Sequence, residues 1–139
     1  MIELDNRSTL LVDEHILQKI ADTLTNKEIE LIITDDAEIQ KINAEYRDIN
    51  KPTDVLSFPY EEMPMSPLGS IVISENFVHT KAQELEHSVD AEMTLLFIHG
   101  LLHLLGYDHE VDNGEMREKE KNLIEEFNLP NSLIVRTQG

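Results

Sequence analysis

The chain contains no cysteine. Disulfides, thiolate metal ligands and cysteine nucleophiles are thereby excluded, and the absence suits a reducing compartment. Positive charge is scarce as well: 11 Lys and Arg stand against 28 Asp and Glu, a formal net charge of -17 over 139 residues. That balance argues against a sequence-independent grip on duplex DNA, which relies on many phosphate contacts from Lys and Arg. It leaves room for a nucleic acid only in a locally basic cleft, and Arg47 and Lys51 lie close enough in sequence to form one. A membrane-spanning run is missing: the longest apolar stretch, around Met93–Leu105, is too short and too interrupted to cross a bilayer. The opening MIELDNRSTLLVDE never builds the apolar core of a secretion signal. The expectation is a cytoplasmic protein with no membrane partner and no DNA partner.

What is present fits one domain, residues 1–139, large enough to bury a core without staples. MIELDN alternates Ile2 and Leu4 with Glu3 and Asp5, as a half-buried strand does. Leu11 to Leu24 carries apolar residues at helical spacing behind Asp13, a good N-cap. EIELIIT, residues 28–34, is rich in β-branched residues and predicts a strand. A helix opening at Asp35 or Asp36 would place Ile39, Ile42 and Tyr46 on one face. DINKPTD is a loop, VLSF a short strand ended by Pro59, and GSIVIS a further strand after a proline-containing loop.

From Ser74 a helix with Phe77, Ala82 and Leu85 as apolar positions is predicted to about Glu86. Behind Ser88 comes a helix apolar almost all round, which predicts the central buried helix. Asp112 and Glu115 suggest a capping box for a last helix, barred by Pro130 from continuing into NSLIVRTQG. About four strands and four or five helices predict an α/β (α+β) fold, a mixed sheet packed by helices. The order of the strands is not readable from this pattern.

The stretch HGLLHLLGYDHE, residues 99–110, begins in the central helix. His99 and His103 are four apart, so their side chains share a face and can converge on one metal ion. Gly106 can take the left-handed conformation that ends a helix, which allows His109 to return as a third ligand. Asp108 could orient a ligand ring or meet bound water. Three neutral imidazoles leave one open position, the arrangement of catalytic zinc; nickel or another late first-row metal is the second choice. The order H-x3-H-x2-G-x2-H is also that of the metzincin proteases, but their general-base glutamate position is Gly100 here, and glycine accepts no proton. His15, His79 and His87 lack partner spacing and read as solvated or capping residues. The residues by themselves reach a three-histidine metal-dependent hydrolase.

The same stretch, taken with NAEYRDINKPTDVLSFP (residues 43–59) and LGSIVIS, resembles the YbeY-type family of endoribonucleases and rRNA maturation factors. The resemblance covers most of the chain and implies a single-domain α/β protein. It implies a zinc ion on His99, His103 and His109, and an arginine important for activity at Arg47. It further implies cleavage of single-stranded RNA, maturation of the small-subunit rRNA 3′ end, and ribosome quality control. Ser70 departs from the family pattern, where an acid often follows the glycine of this element.

On this reading Arg47 would hold phosphate oxygens beside a metal-activated water or an RNA 2′-hydroxyl, with the general base unassigned. Asp108 is the nearest carboxylate in sequence, and Asp54 could simply fix the loop before VLSF. Ribosomal proteins are expected partners for the acidic surface, for instance the last helix. Two other readings are a non-catalytic ribosome-assembly factor with a structural metal and a metallopeptidase-like hydrolase. An open cleft reached by Arg47 would favour the enzyme.

Overall fold

The computed structural model describes residues 1–61, 63, 65–108 and 110–130. In chain order the elements are β1 (Ile2–Asn6), α1 (Glu14–Leu24), β2 (Ile29–Thr34), α2 (Asp36–Arg47), β3 (Val55–Pro59), β4 (Gly69–Ser74), α3 (Glu75–Leu85), α4 (Val89–Leu104) and α5 (Glu115–Glu126). Four helices begin at a side-chain cap: Asp13 accepts from the His15 and Ile16 amides, Asp35 from Glu38, Ser74 from Phe77 and Ser88 from Ala91. Each such cap is worth about 1 kcal/mol, because it satisfies an amide the helix leaves without a partner.

The strands form one mixed sheet in the order β1-β2-β4-β3. β1 and β4 both run parallel to β2, while β3 returns antiparallel along β4 with Val55 opposite Ile73 and Ser57 opposite Ile71. Strand alternation then divides the core. Ile71 and Ile73 join Leu31 and Ile33 on the face that meets Phe97, Ile98 and Leu101 of α4. Val72 points the other way, to Leu56 and to Ile39 of α2. Twelve of the sixteen residues of α4 are buried, which makes it the central helix the apolar run predicts. Leucine, isoleucine and phenylalanine side chains buried this completely contribute about 1.5–3 kcal/mol each. Among the described residues no helix is long and apolar enough to cross a membrane.

Several local expectations change. Tyr46 does not share a buried face with Ile39 and Ile42: it is 67% exposed, and Asn43 is the second buried residue of α2. On α3 the buried positions are Val78 and Ala82, and Leu85 is 38% exposed. Asp112 does not cap α5 as the first residue of a capping box. The cap is Gly114, and Asp112 lies ahead of it, accepting from the Gly114 and Met116 amides. NSLIVRTQG lies outside the described residues.

Candidate metal and phosphate site

The site forms where the last turn of α4 crosses β3. Gly100 makes that crossing close: a Cβ there would lie 2.8 Å from Ile71 Cγ2 and 3.3 Å from Val55 Cγ2. The Ser57 hydroxyl donates to the Gly100 carbonyl oxygen at 3.0 Å, which ties strand to helix. The position a metzincin gives to its base is here a contact between helix and sheet.

With α4 held this way, His99 and His103 project from consecutive turns. Their Nε2 atoms are 3.2 Å apart and the rings meet at 76°. Two nitrogens bound to one tetrahedral zinc at about 2.0–2.1 Å stand roughly 3.3–3.4 Å apart, so this pair already has the span of one edge of that tetrahedron. Nitrogen donors on a partly solvent-accessible pair of rings suit zinc or a neighbouring late first-row ion better than magnesium or calcium. Among the described residues no set of three such side chains converges. His109, the third ligand expected from the sequence, lies outside them.

α4 ends as Gly106 predicts. Gly106 has φ +99°, its amide donates to the His103 carbonyl, and the Tyr107 amide donates back to Leu102. This paired closure satisfies the helix's last carbonyls and turns the chain sharply after His103. The Asp108 carboxylate accepts from the Glu110 amide at 3.0 Å.

Across the cleft, Arg47 is the last residue of α2. The chain leaves the helix through Asp48 in the left-handed region, φ 56°. Asn43 then secures the loop, donating from its amide nitrogen to the Lys51 carbonyl and accepting the Ile49 amide at its backbone oxygen. The resulting cleft, about 480 Å³, is lined by Arg47, Asp54, Val55, Ser57 and Pro59 on one side and His99, His103, Asp108 and Glu110 on the other. Lys51 is exposed and does not line it. Asp54 does line it, and its carboxylate also accepts the Val55 amide at 2.8 Å, the loop-fixing role expected of it. Among the described residues one arginine thus faces three carboxylates, and these side chains do not make the cleft basic.

Pro59 also borders a second groove on the opposite face of the sheet, containing Tyr46, Phe58 and Tyr60. Ser70 lies there, buried, donating to Glu30, and Tyr60 donates to the same carboxylate. The departure at Ser70 is therefore on the face away from the histidines. The Ser70 hydrogen bond is the largest influence on the Tyr60 phenol and pulls its pKa down, but burial and the Glu30 carboxylate together push it above the ordinary value. Arg7, at the far end of the groove, is held by Asp5 and Glu38, which raise its pKa further and occupy its guanidinium.

Three features escaped sequence reasoning. His15 and His79 are exposed as expected, but the His87 side chain is 2% accessible and its Nε2 lies 2.8 Å from an oxygen of the fully buried Glu92. Tyr46 presents its ring to solvent beside Arg47. Glu120 of α5 is buried, with Oε1 3.5 Å from His99 Nδ1. Spacing alone could have found Glu120, which is four residues from both Met116 and Ile124 on the buried face of its helix.

Comparison with known proteins gives a consistent match. Residues 2–128 match the family model described as endoribonuclease YbeY. A curated relative of that name from Sulfurimonas denitrificans is 61% identical over the full length of both chains. Another, from Aliarcobacter butzleri, is 61% identical over 98% of this chain and 99% of its own. A Thermotoga maritima protein solved in solution superposes with a TM-score of 0.63 at 29% identity, over 91% of this chain and 89% of that one.

Proposed function

We propose, for a chain that belongs to the YbeY endoribonuclease family and so cuts RNA within the strand, that the cut is made in the cleft between Arg47 and the His99/His103 pair. The observation that carries this reading is the convergence of the two Nε2 atoms at 3.2 Å in a cleft that Arg47 also lines. His99 and His103 would hold a zinc ion, with His109 as third ligand from its place in the sequence. Bound there, zinc supplies Lewis acidity and a water acidified toward neutral pH.

The chain's own residues do the rest. Arg47 offers a planar fork of donors to the non-bridging oxygens of the scissile phosphate and stabilises the charge that grows on them. Gly100 carries no base. Asp54 and Asp108 each hold a backbone amide, which fixes the loops on either side of the cleft. The attacking oxygen, from water or the adjacent 2′-hydroxyl, forms the new bond to phosphorus as the 5′ oxygen leaves.

The preferred substrate is single-stranded RNA. The exposed Tyr46 ring lies in the groove on the other face of the sheet, which meets the cleft at Pro59, and an unpaired base of a strand passing that edge can stack on it where a duplex base cannot. Maturation of the small-subunit rRNA 3′ end and ribosome quality control, in the cytoplasm, are the cellular roles we carry over from the family resemblance. The exposed glutamates of α5 offer a surface for basic ribosomal proteins.

The test measures zinc content and cleavage of a single-stranded RNA by the wild type, His103→Ala and Arg47→Ala. Zinc and cleavage should be lost together in His103→Ala, and cleavage alone in Arg47→Ala. A His103→Ala protein that loses zinc yet cleaves at the wild-type rate would overturn the reading.

A further inference from the structure

Glu120 occupies a position on α5 where an apolar residue would be expected. The buried face of that helix is Met116, Glu120, Leu123 and Ile124, and Glu120 is only 3% exposed. An uncompensated carboxylate in such a place is strongly disfavoured. The compensation is on α4: Glu120 Oε1 lies 3.5 Å from His99 Nδ1. The other nitrogen of the same ring, Nε2, is the one that meets His103 at 3.2 Å. One ring nitrogen thus faces a buried acceptor while the other faces the cleft.

A neutral imidazole carries one N–H and one lone pair. A carboxylate beside Nδ1 favours the proton there and leaves the Nε2 lone pair directed at the cleft. It also restrains rotation of the ring and makes Nε2 a better donor. We propose that Glu120 is a positioning residue for the metal centre, fixing the tautomer and aim of His99. This rests on the reading of His99 and His103 as metal ligands. At 3.5 Å the contact is a close charge–dipole approach, longer than a settled N–H···O bond. A purely structural Glu120 would serve only to pin α5 to α4, and the two roles predict different measurements.

The full-length chain is stripped of metal, and Zn²⁺ affinity is measured by chelator competition at one pH for wild type, Glu120→Gln and His103→Ala. Thermal unfolding of each metal-free protein is followed alongside. Glu120→Gln keeps the shape and loses the charge. It should bind zinc about 10–100-fold more weakly while its metal-free form unfolds near the wild-type temperature. Wild-type zinc affinity in Glu120→Gln, with affinity lost in His103→Ala, overturns the positioning role alone. Wild-type affinity in His103→Ala overturns the ligand reading, and the role of Glu120 with it. A second measurement needs no variant: the imidazole ¹⁵N shifts of the metal-free wild type should show His99 as the Nδ1–H tautomer. An Nε2–H tautomer overturns the proposal even if Glu120→Gln fails to fold.

Discussion

The rings of Tyr46 and Phe58 meet edge to face, 5.5 Å between centroids and at 61°, joining the last turn of α2 to β3. Phe58 supports Tyr46 from behind and leaves much of the tyrosine ring in solvent. A base stacked on an aromatic side chain contributes about 1–3 kcal/mol, so Tyr46→Ala should raise KM for single-stranded RNA by roughly 5–150-fold. Zinc content and melting temperature should stay as in wild type. Steady-state kinetics on an unpaired oligonucleotide checks this, and an unchanged KM would remove Tyr46 from the substrate path.

Arg47 makes no ion pair among the described residues, which leaves its guanidinium available to a phosphate. Loss of one donor aimed at transition-state charge typically costs about 10²–10³ in kcat. Arg47→Ala should show a loss of that size with normal folding and zinc binding. Arg47→Lys should recover little, because an ammonium cannot reproduce the two-pronged contact.

Gly100→Ala tests the crossing of α4 over the sheet. Its Cβ would press on branched side chains of two strands, Ile71 and Val55. Overpacking of this kind costs about 1–3 kcal/mol, against roughly 1 kcal/mol regained from alanine's better helix propensity. The expected outcome is a melting temperature lower by several degrees and weaker zinc binding, since the helix must back away from Ser57. Calorimetry and chelator competition read both.

His87 and Glu92 form a buried pair, Nε2 2.8 Å from a carboxylate oxygen, so removing the imidazole takes a close partner from a fully buried carboxylate and opens a cavity beside it. His87→Ala should destabilise the protein by about 3 kcal/mol or more, seen as a lower urea midpoint. His79→Ala, at an exposed site, should stay within about 0.5 kcal/mol of wild type.

Much of the fold was legible because it is local. Asp13, Asp35, Ser74 and Ser88 announce their helices through capping chemistry that needs only the next three residues. Strand order was not, since the pairing of β2 with β4 and the reversal of β3 depend on contacts far apart in the chain. Tyr46 misled because helical spacing says which residues share a face and not how far a neighbour extends to cover it. In the site, the His99/His103 pair follows from helix periodicity alone, while Arg47 stood out by itself only as half of a possible basic patch with Lys51 and took its role in activity from the family resemblance. Glu120 was hidden by its charge: among so many exposed acids on α5 it read as one more. His87 and Glu92 sit just before the cap of α4 and in its first turn, where two apolar residues usually staple the helix start. An ion pair in that role carries no hydrophobic signature.

The polarity of α4 has a consequence for how the site loads. Many phosphate-binding proteins aim a helix N-terminus at their ligand and let free amides cradle it. Here the cleft lies at the opposite end, beside the last turn of α4, where the backbone's partial charge is negative and its carbonyls are already closed by Gly106 and Tyr107. That end attracts cations and repels phosphate, as do Asp54, Asp108 and Glu110 around it. On the proposed reading the scaffold would be selective in sequence: a cation would be drawn in first, and only then would the cleft become hospitable to the anionic strand.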